Sequence, residues 1–134
     1  MNKKLILGLA LGLAACTPPG EGAYSQEIAD AFLARVIPYG LAEAIVENCD
    51  DLDADVAAFT TTPGDIGNDL RTRYPARDVD ATLAQVLSGD TLGQAIEGYL
   101  AERNVETGSE AALCAFGASE LQNGGPVGAF LTEV

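Results

Sequence analysis

From Ser25 to Cys49 apolar residues recur every fourth position, the spacing of a helix with a buried face. Ile28, Phe32 and Val36 make one stripe, Leu41, Ile45 and Cys49 a second, and acids fill the opposite side. Between the stripes stands Ile37-Pro38-Tyr39-Gly40. Proline lacks a backbone donor and restricts the residue before it, so this pattern predicts two helical pieces. Asp50-Asp51-Leu52-Asp53 offers short acceptor side chains of the kind that satisfy the first N–H groups of a helix. The helix expected there carries Val56 and Phe59 and is interrupted at Thr60-Thr61-Thr62.

Thr62-Pro63-Gly64-Asp65 reads as a restart, with threonine as cap, proline in the first turn and an acid at the third helical position. Ile66, Leu70 and Tyr74 form its inner side, although Gly64 and Gly67 each cost about 1 kcal/mol against alanine. Val79, Leu83, Val86 and Leu87 predict a further helix of about ten residues closed by Ser88-Gly89. Asp90 or Thr91 opens the next, with Gln94 at capping-box distance from Thr91 and Leu92, Ile96, Tyr99 and Leu100 facing inward. It should end near Asn104. Thr107 and Glu110 repeat the box, Leu113, Phe116 and Leu121 follow, and Asn123-Gly124-Gly125-Pro126 supplies a glycine stop with proline beyond it. Gly128 to Leu131 makes a last short turn. No segment alternates apolar and polar residues as a half-buried strand does. The expected fold is therefore all-α: a small single-domain orthogonal bundle of five to six short helices over residues 25–134, stapled by one disulfide.

The beginning of the chain follows a different logic. Lys3-Lys4 precedes eleven apolar or small residues, Leu5 to Ala15, and then Cys16. A charged start, a short apolar stretch and small residues before a cleavage point are the parts of an export signal. Eleven helical residues span about 16 Å, half a bilayer's hydrocarbon core, which disfavours a permanent span. Leu13-Ala14-Ala15-Cys16 resembles the lipobox of bacterial lipoproteins. That resemblance implies a signal peptide over 1–15 and lipidation of Cys16, which becomes the first mature residue. Multiple acyl chains then attach the domain durably to the lipid bilayer. Thr17, where the inner-membrane pattern has aspartate, implies the outer membrane with the domain facing the periplasm. The alternative is an ordinary secretory signal, a soluble secreted or periplasmic chain and an odd thiol at Cys16. Residues 16–24, with Pro18 and Pro19, read as a short extended tether.

Charge and inventory narrow the chemistry. Lys3 and Lys4 are the only lysines, so removal of the signal leaves five arginines against twenty acids and a formal charge near −15. Such a surface repels polyanions and excludes nucleic acid as a partner. Histidine is absent. Its loss removes the usual general base and the commonest zinc ligand, and the loss of lysine removes Schiff-base chemistry. No catalytic residue, metal site or cofactor is expected.

With Cys16 assigned to lipid, Cys49 and Cys114 remain, an even pair in an exported chain. A structural disulfide is the direct reading, and redox catalysis, which favours a close Cys-x-x-Cys, is the rival. Asp50, Asp51, Asp53 and Asp55 suggest a calcium loop, but counting from Asp51 the sixth position is Val56, not glycine, and the twelfth is Thr62, not glutamate. Helix capping and a solvated acidic turn explain them better. Arg71, Arg73 and Arg77 could grip a carboxylate or phosphate, or neutralise neighbouring acids.

Asn48-Cys49, Leu52-Asp53, Gly98-Tyr99-Leu100, Cys114-Ala115-Phe116-Gly117, Glu120, Gly128 and Leu131 together resemble a small family of exported alphaproteobacterial proteins of unknown function. The resemblance runs from Glu47 to Leu131 and implies a helical fold with a Cys49–Cys114 bond. Thr60 to Gly67 departs from the family's more continuous helix. The functional expectation is a non-enzymatic, membrane-anchored domain that binds a periplasmic protein or maintains the envelope. An immunity or inhibitor protein for an envelope effector and an acid-stress chaperone are the alternatives.

Overall fold

Helix α1, Gln26–Asn48, passes unbroken through Pro38 and forms the axis of the molecule. The computed structural model describes residues 24–134. The signal-like segment 1–15, Cys16 and the tether to residue 23 lie outside the described residues. The two helical pieces expected on either side of Pro38 are one rod, and magnitudes explain why. An interior proline costs about 3 kcal/mol, while a fully buried large apolar side chain contributes about 1.5–3 kcal/mol. Helix α1 buries Ile28, Phe32, Val36, Ile37, Leu41 and Ile45, so one rod holding both stripes outweighs the amide that Pro38 cannot donate to Ala34.

The two halves of α1 serve two clusters. Around its first half, α2 (Pro63–Arg73) and α3 (Val79–Leu87) contribute Ile66, Leu70, Val79, Leu83 and Val86. Around its second half, α4 (Thr91–Glu102), α5 (Glu110–Asn123) and the chain end contribute Leu100, Phe116, Val127 and Leu131. Leu33 and Leu92 pack against both. A polar latch fixes the start of α1: the Ser25 N–H donates to Thr82 Oγ1 at 3.0 Å in the interior, and Arg77 donates to Ser25 Oγ at 2.8 Å.

After α1 the chain departs from the expected helix. Leu52–Ala54 is a strand, β1, paired antiparallel with β2, Leu131–Glu133, in the register Leu52↔Glu133, Asp53↔Thr132, Ala54↔Leu131. Each strand has three residues and places one leucine inside, too little for an alternating signal. Val56, expected on that helix, lies outside any helix and is 79% exposed. Phe59 sits on a single 3₁₀ turn, Ala58–Thr60, in edge contact with Tyr39 and tilted against Phe130.

Caps decide most remaining boundaries. Thr62 and Asp65 form the expected capping box on α2, with Pro63 at its first position. Asp78 caps α3, whose last residue, Leu87, points outward rather than inward. The box between Thr91 and Gln94 does not form, because Thr91 is already helical and Asp90 stands at the cap without a side-chain bond. At α5 the cap is Ser109, not Thr107, with its hydroxyl accepting from the Ala112 N–H at 3.1 Å. Gly124, at φ 68°, ends α5 in the left-handed conformation as the glycine stop predicts.

Candidate functional site

Cys49 directly follows α1 and Cys114 lies in the second turn of α5, with Cα atoms 5.6 Å apart and a disulfide between them. The bond joins positions 65 residues apart and holds the helix axis to the C-terminal unit. Gly117, one turn on, faces Ile45 and Leu52 with no room for a side chain. Glu120 turns its carboxylate toward the chain beyond α5, where Oε2 accepts from the Val127 N–H at 2.9 Å. Gly128 lies against the Glu120 carbonyl too closely for any other residue. The motif residues Leu52, Leu100, Cys114, Phe116, Gly117, Glu120, Gly128 and Leu131 are thus accounted for by packing. Gly98 is different, since a Cβ there would meet nothing within 4 Å.

Two depressions share Asn48 and Glu110 on their borders, near the junction of α1 and α5. One, an open groove of about 1070 Å³, runs past Cys49 and Cys114 and is edged by Asp50, Asp51, Glu110 and Glu133. The other, about 380 Å³, lies between α1, α4, α5 and the 105–109 loop, with Leu41, Ala44, Ile96, Leu100, Val105 and Leu113 as its apolar walls. Glu97, Glu106 and Glu110 stand on its rim. Pattern reading missed this smaller hollow because its walls come from three helices and a loop, and each helix alone reads as core. A local feature at its edge is Asn104, whose φ of 58° turns the chain so that the Val105 N–H returns to the Leu100 carbonyl at 2.9 Å.

The arginines are committed elsewhere. Arg35 and Arg73 share Asp69, at 2.6 and 3.2 Å. Arg71 donates through Nε to Asp80 at 2.9 Å and through a terminal nitrogen to Asn68 at 2.6 Å. This pairing holds the Asp80 carboxyl below its usual range and raises Arg71. Arg77 reaches Ser25 and Glu27, and Arg103 lies 3.4 Å from the centre of the Tyr99 ring. The Arg71, Arg73 and Arg77 concentration therefore neutralises acids. Among the described residues no ion pair involves Asp50, Asp51, Glu97, Glu106, Glu110 or Glu133.

Of the aspartate run, Asp53 accepts from the neighbouring Ala54 N–H at 2.7 Å within β1, and Asp55 accepts from the Ala57 N–H at 3.0 Å ahead of the 3₁₀ turn, so one of the four organises a turn and none caps an α-helix. Among the described residues no group of three or more His, Cys, Asp or Glu side chains could hold a metal ion, and no helix is long and apolar enough to cross a membrane. The Tyr99 hydroxyl is buried without a hydrogen-bond partner among the described residues. Burial raises its pKa, Arg103 opposes that shift, and the Glu120 charge adds to it.

The model of the family of unknown function DUF5333 matches residues 25–132, and the chain belongs to that family. The match begins at the Ser25 latch and takes in every residue of the motif set from Asn48 to Leu131. No curated protein and no solved structure matches the chain.

Proposed function

We propose that this member of the DUF5333 family is an exported lipoprotein, acylated at Cys16, that presents a non-enzymatic protein-binding domain to the periplasm from the outer membrane. The family's character as a set of exported alphaproteobacterial proteins is part of the same reading. The observation that carries it is a division of charge. The arginines are engaged at acids, a serine or a ring, while the carboxylates around the two depressions have no cationic partner among the described residues. Exposed acids without cations around a concave face favour association with a basic protein surface and speed the encounter. The chain also lacks histidine, and its only lysines are Lys3 and Lys4, which leaves little for general base or Schiff-base catalysis.

The disulfide supports an oxidising compartment, where such bonds persist. The lipobox resemblance at Leu13-Ala14-Ala15-Cys16 supports the anchor. A second reading, an inhibitor of an envelope effector, draws on the same acidic groove, which could cover a basic active site.

The test uses native envelopes. Intact mass spectrometry should find a diacylglycerol-modified chain starting at Cys16, and Cys16→Ser should release the domain from the membrane. A photo-crosslinker placed at Asn48 should trap a protein partner, and one at Asp30, on the far half of α1, should not. An unacylated native chain overturns the anchor. Equal background from both crosslinker positions overturns the binding role.

A further inference from the structure

The smaller hollow is an apolar pocket with a charged frame, and that combination selects its occupant. Its volume of about 380 Å³ lies within the range of preformed ligand sites and admits one or two large side chains. Leu41 and Leu100 form its floor, and Ile96, Val105 and Leu113 are only partly buried, so the walls retain unfilled apolar surface. Every ionisable residue on its lining, Glu97, Glu106 and Glu110, is an acid, is exposed, and is without an ion pair among the described residues. An anionic lipid or fatty acid would bring its head group against that frame. A second copy of this chain would bring further acids, with a formal charge of −13 on each whole chain.

Beyond Asn48 and Glu110 the apolar hollow gives way to the larger groove, whose ionisable side chains are again all acids. An occupant that crosses both needs an apolar anchor at one end and cations along the rest. An amphipathic helix laid in a groove meets that requirement, with anchors at helical spacing and lysine or arginine on its flanks. We infer that the hollow between α1, α4 and α5 docks a cationic amphipathic segment of a partner protein, with an apolar side chain against Leu100 and Leu113 and its basic flank along Glu110, Asp50 and Asp51. This rests on the protein-binding reading above and names the chemistry of the partner.

The probe is a synthetic amphipathic peptide of about 14 residues, lysine with a leucine face at helical spacing, compared with the same composition scrambled. Binding to the full disulfide-bonded domain is measured at about 0.15 M salt, where charges more than about 8 Å apart are screened. The amphipathic peptide should bind more tightly than the scrambled one by about tenfold or more. Ala44→Phe, which fills the hollow from α1, should remove that difference. Ala44→Leu is the milder variant should the larger ring unfold the chain, as read by circular dichroism. Glu97→Gln with Glu106→Gln should weaken binding by about 2- to 30-fold. Asp30→Asn with Asp90→Asn, an equal change of charge away from the hollow, should leave it unchanged.

Equal binding of the two peptides, or equal loss from the two double variants, overturns the proposal in favour of diffuse attraction. A fatty acid or a second copy that native mass spectrometry finds on the chain and Ala44→Phe displaces also overturns it. An envelope partner crosslinked at Asn48 whose capture is insensitive to Ala44→Phe sinks this proposal and leaves the protein-binding role standing. Peptide binding that follows the predicted order in envelopes that yield no partner upholds the pocket chemistry and sinks the role.

Discussion

A Cβ placed on Gly117 would lie 2.9 Å from Cγ2 of Ile45 and 3.0 Å from Cδ1 of Leu52, so glycine here sets how closely α5 approaches α1 beside the disulfide. Helical glycine is normally a weakness of about 1 kcal/mol against alanine. At Gly117 the close approach reverses the sign, since overpacking a filled core costs about 1–3 kcal/mol. Gly98, also helical but with open space around its would-be Cβ, should behave in the opposite way. Urea unfolding of Gly117→Ala is expected to show a loss of about 1–2 kcal/mol, and Gly98→Ala a gain of up to about 1 kcal/mol. Stabilisation by both would show that α5 and α1 part readily enough to admit a methyl group at Gly117.

Replacing both members of the Cys49–Cys114 bridge by serine frees a loop closed over a separation of 65 residues. The loop-entropy relation puts the loss at about 4 kcal/mol, a large share of the roughly 5–15 kcal/mol that holds a domain folded. Thermal unfolding of the double serine variant should shift down by tens of degrees or become non-cooperative. A shift of only a few degrees would mean that the unfolded chain stays compact around this bond's position.

Legibility followed the length over which a pattern repeats. The buried stripe of α1 is readable because several turns reinforce one period, and the Ile66–Leu70, Val79–Val86 and Leu113–Phe116 spacings because each fits one or two turns of a helix. The capping box at Thr62 and the stop at Gly124 were readable because their chemistry is local. Pro38 reads as a break because its local penalty carries no trace of the two clusters that α1 spans. The β1–β2 ladder was invisible, with one buried leucine per strand and partners about 80 positions apart. The apolar hollow went unseen for a related reason: Ala44, Val105 and Leu113 become one surface only after three helices have packed.

The hydroxyl of Thr82 is fully buried and receives the Ser25 N–H from a residue 57 positions away, at 3.0 Å. Thr82→Val keeps the shape and removes the acceptor, leaving a buried amide without a partner at the start of α1. Such an orphan costs about 1–3 kcal/mol. Hydrogen exchange of the first turn of α1 should accelerate with that loss, while Thr82→Ser, which retains the acceptor, should protect the turn better than valine does. Equal protection in all three proteins would show that water replaces the lost oxygen.

Asp65 offers a pH-dependent test of the α2 cap. Its carboxylate accepts from both the Thr62 N–H and the Thr62 hydroxyl, each at 2.9 Å, and these bonds hold its pKa below the ordinary 3.8. Near pH 3.8 the unfolded chain therefore binds more protons at this site than the folded one, so the site's contribution to stability rises with pH. That contribution is complete above the unfolded pKa and disappears as pH falls through the lower, folded one. Both proteins in the comparison share all the other acids, so the difference between wild type and Asp65→Asn isolates the cap from the general loss of charge repulsion. Melting curves from about pH 7 to pH 2 should show a steady gap down to about pH 5 that narrows below about pH 4. A gap that widens in acid would mean that the protonated carboxyl caps α2 better than the charged one.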